Sequence, residues 1–292
     1  MGTSNTYGGP GGGTPLIPSW LEPDGIAPSA DQDAENHANP ADSSATGAPG
    51  SPIRLPIPDP APAGRFTAAR NNFTRFAGSG GHDRRSLGRA VSHYVSTVSG
   101  GPRRAAQRMS TSRAAGGRLL GFLADVRTRG AEEALRALNL ERLAGRPIEE
   151  IFLGLVDFVC PDGGSLDEGI AREAFIETIV ELAENGITDL DAMTEDQLRI
   201  VFELYASHSI EARLCNDIGT KMITLPLGGL EADRVQVQLR DFIRRGVSDA
   251  LMAVRDTLAA MTPNRILHVV RQVYEQAFGI LQSLAEAESD TP

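Results

Sequence analysis

The sequence predicts an all-α fold: a multi-helix bundle carrying a long Gly/Pro-rich amino-terminal tail that is expected to be disordered. Three observations carry this reading. Downstream of residue 65 the apolar residues recur at helical spacing, and no alternating strand pattern interrupts them. Capping signals mark where helices start and stop. Finally, 12 of the 18 prolines and ten of the 31 glycines lie in residues 1–64, whose only aromatics are Tyr7 and Trp20. Such a segment buries too little apolar surface to offset the entropy of ordering its backbone. The whole chain has 292 residues, 41% of them hydrophobic, enough for one or two domains with a sizeable core.

The helices can be placed in order. Asp157-Phe158-Val159-Cys160-Pro161 closes one helix, because proline disfavours helix at the residue before it. Asp162-Gly163-Gly164 then turns, and Ser165 with Glu168 forms a capping box opening the next helix. That helix stops at Asn185-Gly186, where Ile187 is spaced for the apolar contact of a glycine C-cap. Thr194 with Gln197 is a second capping box, flanked by Met193 and Leu198 at staple spacing. Ile243, Val247, Ala250, Val254, Leu258 and Met261 predict one apolar face through a long helix. Thr262-Pro263 supplies the N-cap and N1 proline of the last helix, striped by Ile266, Val270, Val273, Ala277, Ile280 and Leu284.

Charge divides the chain into three stretches. Residues 1–64 hold one Arg and seven acids; 65–146 hold sixteen Arg and five acids, for +11; 147–292 hold eleven basic residues and twenty-six acids, for −15. The organisation expected from this is a tail (1–64), an Arg-rich helical region (65–146) and an acidic helical bundle (147–292). A basic region built on arginine favours bidentate recognition of phosphate or carboxylate. Arg84, Arg85, Arg103 and Arg104 are candidate contacts for an anion or an acidic partner, the −15 stretch of the same chain included. The alternative is an Arg-rich surface that binds nucleic acid.

Several classes are excluded. Cys160 and Cys215 cannot build a disulfide framework or a four-ligand zinc site, and the five histidines lack metal-ligand spacing, so no metal or other cofactor is expected. The glycine run after Tyr7 has no Lys-Ser/Thr behind it, since Lys221 is the only lysine, and it follows no strand. The Met1-Gly2 to Thr6 match to a myristoylation pattern is too short to carry weight. No apolar run approaches a membrane span, and no secretion-signal layout precedes the body, so a soluble cytoplasmic protein is expected. His208, near Glu203 and Glu211, reads as a partly buried, hydrogen-bonded residue. Glu173, Glu177 and Glu181 read as a solvated face or a contact for arginines. No catalytic residue is assigned.

The tail contains two further stretches. Met1-Gly2-Thr3-Ser4 opens a glycine-rich leader, and removal of Met1 exposes the Gly2 amine. Thr14-Pro15-Leu16-Ile17-Pro18-Ser19-Trp20-Leu21 offers Leu16, Ile17, Trp20 and Leu21 as anchors on a backbone its prolines pre-extend. These blocks, with Arg65-Phe66 to Gly81, Asp83-Arg84-Arg85, Val159-Cys160-Pro161-Asp162-Gly163-Gly164, Asp167-Glu168-Gly169-Ile170-Ala171-Arg172-Glu173, Asn216-Asp217-Ile218-Gly219 and Gln238-Leu239-Arg240-Asp241-Phe242-Ile243, resemble the QatB family, a component of the Qat anti-phage defence operons of bacteria. The resemblance implies operon partners: an ATPase, a QueC-like enzyme of the QatC type and a TatD-like nuclease. It further implies a non-enzymatic component whose tail the QueC-like enzyme recognises. Gly2 is then the modification site, and Thr3, Ser4, Leu16, Ile17, Trp20 and Leu21 the partner-binding residues.

Overall fold

The computed structural model describes residues 64–290 apart from 162, 185, 188, 221–224, 226 and 255–262. Among the described residues there are ten α-helices and no strand. They are α1 (Thr67–Gly78), α2 (Arg84–His93), α3 (Pro102–Gln107), α4 (Ser110–Arg129), α5 (Ala131–Arg136), α6 (Ile148–Val159), α7 (Leu166–Glu184), α8 (Glu195–Ile218), α9 (Gly229–Ala253) and α10 (Pro263–Asp290).

Three of the caps expected from the sequence are formed. Thr194 Oγ1 accepts the Gln197 N–H while the Gln197 side chain accepts the Thr194 N–H, closing the box at the start of α8. Ser165 and Glu168 reciprocate in the same way at α7, at 3.3 and 2.8 Å. At the end of α7, Gly186 takes a left-handed φ of +68°. The Ile187 N–H reaches the Leu182 carbonyl and the Gly186 N–H that of Ala183, a glycine C-cap with both Leu182 and Ile187 buried. Elsewhere the stripe reading needs correction. Helix α9, which carries Ile243, Val247 and Ala250, ends at Ala253: Val254 leaves the helical region at φ −110°, ψ 11° but stays buried with them. Leu258, Met261 and the N-cap Thr262 lie outside the described residues. Along α10 the stripe beyond Ala277 runs through Phe278, Leu281 and Ala285, with Ile280 and Leu284 only partly buried beside it.

Two apolar cores result. The first joins α1, α2 and α3, with Leu120 of α4, to α9, α10 and one face of α8 from Phe202 to Ile218; the second joins α4, α5, α6 and α7 to α8 between Leu198 and Tyr205. Helices from 65–146 and from 147–292 thus contribute to both. Helix α8 is the shared element, buried without interruption from Leu204 to Glu211, as befits a helix enclosed on all sides.

Where α2 crosses α10, the backbones touch at Gly88. A Cβ there would lie 2.6 Å from the Ala285 carbonyl oxygen and 3.2 Å from the Ser289 nitrogen. Alanine normally stabilises a helix over glycine by about 0.5–1 kcal/mol, but overpacking against backbone costs about 1–3 kcal/mol. Gly88→Ala is therefore expected to lower the urea midpoint, with a net loss of about 1–2 kcal/mol. Gly279→Ala on α10, where a Cβ meets nothing within 4 Å, raises it.

Candidate functional site

The residues with the strongest chemistry lie on α8 and its neighbours. Arg213 and its partners Asp167 and Asp217 are almost wholly buried. Its Nη1 donates to Asp167 Oδ1 on α7, and its Nε sits 3.2 Å from Asp217 Oδ2, an ion pair rather than an aligned hydrogen bond. Burial opposes the guanidinium charge, and Asp217, Tyr94 and Asp167 more than offset this, so its pKa is raised. The Tyr94 hydroxyl donates to Asp217 Oδ2 at 2.8 Å, and Arg70 Nε donates to the Asp217 carbonyl at 3.0 Å. One cluster thereby ties α1, α2 and α7 to α8. Asp167 and Asp217 belong to two of the sequence blocks noted above, and the fold brings both onto one arginine that the sequence reading did not single out.

A second cluster lines the α7–α8–α9 face. His208 is 4% exposed; its Nε2 lies 3.0 Å from Glu181 Oε2, and its Nδ1 3.9 Å from Glu211 Oε2. Glu181 also holds Arg244 at 2.7 Å, and Glu211 holds Arg240 at 3.0 Å. The hydrogen bond with His208 keeps the Glu181 carboxyl below its ordinary value, against the effect of burial and with Arg244 assisting. A cleft of about 220 Å³ opens beside His208, Glu211, Cys215 and Arg240. Burial, aided by Glu211 and Glu173, pushes the Cys215 thiol up to about 12; burial pushes Cys160 up to about 11. Neither is a nucleophile at neutral pH. His208 is thus a buried, hydrogen-bonded residue, and Glu181 the member of its acidic stripe that contacts an arginine. Asp191 accepts the Ala131 N–H at 3.0 Å, capping α5 rather than the helix that follows it in sequence.

The arginines nominated from sequence divide between two clefts. Arg84 and Arg85 are exposed on the first turn of α2, which Asp83 caps by accepting the Ser86 N–H at 2.9 Å. Gly81 places that turn against α9, since its φ is +83° and a Cβ would sit 3.3 Å from the Arg234 carbonyl. Arg84 donates to Gln238 at 2.7 Å in a cleft it shares with Arg244 and Arg245, which pair with Glu203 and Glu288. Arg103 instead lines a cleft with Arg113 and Arg271. Arg104 is exposed and folds back over Gly100. Other basic groups of 65–146 are matched within the chain: Arg118 donates to the Val159 carbonyl at 2.8 Å, Arg127 pairs with Glu195 at 3.6 Å and Arg129 with Asp125 at 2.7 Å. Gly2, Thr3, Ser4, Leu16, Ile17, Trp20 and Leu21 lie outside the described residues. Among the described residues, no group of three His, Cys, Asp or Glu is arranged to hold a metal ion, and no helix is long and apolar enough to cross a membrane.

Fold and contacts together define an all-α protein whose buried ionic groups brace its helices against one another. A family model described as "Qat anti-phage system associated protein QatB" matches residues 100–281, from the turn before α3 well into α10. The chain belongs to the QatB family and is a component of an anti-phage defence system. No curated protein and no solved structure matches it. The amino-terminal blocks, from Met1 to Arg85, precede the matched span.

Proposed function

We propose that this protein is a non-enzymatic scaffold of the defence system and that its amino-terminal tail is a substrate of a QueC-like enzyme, which joins a deazaguanine to the Gly2 amine. The observation that carries the reading is the leader Met1-Gly2-Thr3-Ser4 and its glycine run, on a member of a multi-component defence family. QueC-type chemistry activates a carboxylate with ATP and condenses it with an amine. Here the Gly2 nitrogen attacks the activated carbonyl carbon; the amide C–N bond forms, the bond to the activating group breaks, and the amine proton passes to solvent. An α-amine titrates near pH ~8, so a neutral fraction is available without a dedicated base. Glycine puts no side chain beside the attacking nitrogen, and a slim leader can enter a deep pocket. The helices are the handle on which the tail is presented, in the cytoplasm, with the operon ATPase and TatD-like nuclease as further partners.

Intact-mass and peptide analysis of the full chain co-expressed with the QueC-like enzyme tests this. The amino-terminal peptide is expected to gain the mass of one deazaguanine acyl group; an unshifted peptide beside an active enzyme overturns it. Leu16, Ile17, Trp20 and Leu21 anchor the tail, so Trp20→Ala is expected to weaken partner binding by about thirtyfold, the scale of an aromatic hot spot. Arg84→Ala, in its charge-balanced cleft, changes binding little. Pull-down titrations of the two variants distinguish this docking from one through the helical body.

A further inference from the structure

We propose that the cleft between α3, α4 and the first half of α10 is a binding site for a nucleotide-sized ligand, held through its phosphate by Arg103, Arg113 and Arg271. This goes beyond the tail reading and does not depend on it. The cleft measures about 470 Å³, within the range of small-molecule sites. Among the described residues lining it, three arginines and His268 face a single acid, Glu275. None of the three arginines has a carboxylate within ion-pairing distance among the described residues, in contrast to Arg244 and Arg245 in the cleft beside α2. Two atoms here are buried and lack hydrogen-bond partners among the described residues: Arg113 Nε and Gln276 Oε1. Buried donors and acceptors without partners are uncommon and costly, and these two sit in one cleft.

The chemistry of the lining selects the ligand. Burial lowers the Arg113 pKa and the Arg271 charge adds to the effect, with Tyr274 and Glu275 opposing, so an anion delivered here relieves a cation poorly compensated from within. Phosphate matches the guanidinium fork in geometry and charge. Arg271 Nη2 lies 3.0 Å from His268 Nδ1. Arginine only donates, so Nδ1 accepts and the ring proton sits on Nε2, which is left to donate to a ligand. Glu275 and Gln276 Oε1 are acceptors, of no use to a bare phosphate ion but suited to the hydroxyls and amines of a nucleoside. The cleft's volume is of the order of one nucleotide, whereas a nucleic-acid backbone is followed by an extended basic groove.

Equilibrium dialysis of the full-length protein at fixed ionic strength tests the proposal, with AMP, GMP, CMP, UMP, inorganic phosphate and a single-stranded oligonucleotide as probes. At least one nucleoside monophosphate is expected to bind about tenfold or more tightly than inorganic phosphate. Arg113→Gln and Arg103→Ala should each weaken that binding by about tenfold or more, the scale of one charge-assisted contact, and Arg89→Ala on α2 should not. Arg103 is exposed, so Arg103→Ala decides the matter even where Arg113→Gln disturbs folding. Nucleotide binding absent at millimolar concentration overturns the proposal, as does phosphate binding equal to that of the nucleotides. So does an oligonucleotide that outbinds every mononucleotide and loses affinity equally in Arg89→Ala and Arg103→Ala.

Discussion

Replacing Arg213 with Met is expected to lower the unfolding free energy by about 3–5 kcal/mol, the cost of leaving a buried ion without its partner. The side chain lies within the protein, between Asp167 and Asp217, which are themselves 5% and 8% exposed. Removing the cation leaves two carboxylates out of water. Asp217 keeps the Tyr94 hydroxyl and the Asn216 amide as donors, while the hydrogen bond from Arg213 Nη1 to Asp167 is lost. Replacing all three ions with neutral groups of similar volume, as in Arg213→Met with Asp167→Asn and Asp217→Asn, removes the uncompensated charge and should recover most of the loss. Urea unfolding of the single and triple variants separates the causes. A triple variant as unstable as the single one assigns the loss to packing of the arginine stem instead of to charge.

Phe175→Ala should be as severe, for a different reason. The ring is fully buried in the second core, stacked on Phe152 at 5.8 Å and 19°, and meets Tyr205 edge-on at 6.3 Å and 68°. Truncation removes transfer energy and leaves a cavity, together about 3–5 kcal/mol. Collapse is limited because the Tyr205 hydroxyl donates to the Ser112 carbonyl at 3.0 Å, which holds that ring in place. Phe175→Leu, which keeps most of the volume, should cost clearly less in the same unfolding experiment. Equal losses from the two substitutions place the cause in the ring–ring geometry rather than in volume.

The sequence also revealed part of the site, and unevenly. The arginines of 65–146 stand out as a class, yet their partners do not. Arg84 meets Gln238 in a balanced cleft, Arg118 a helix-end carbonyl and Arg127 an acid of α8, whereas Arg103 faces two more arginines. The first three contacts are long-range, and nothing in the spacing of Arg103 distinguishes it from Arg84. Arg113 and Arg271 lie more than 150 residues apart in sequence and converge only because α10 returns across α4. His208 and Glu211 were noticeable as neighbours on one helix, but Glu181, which holds the ring, comes from α7.

By itself the sequence determined the all-α class, the capping boxes of α7 and α8 and the glycine stop before Ile187. Each of these is settled by groups within one or two turns of chain, where a side-chain oxygen or a missing Cβ acts on the nearest backbone. Only the tertiary structure decided that α9 stops at Ala253, that α8 runs buried between two cores, and which arginines are matched by acids. Whether a charged side chain belongs to water or to the interior depends on the distance to its counter-ion and on what excludes solvent from both. For Arg213 one counter-ion lies 46 residues away in sequence, a separation that no local pattern encodes.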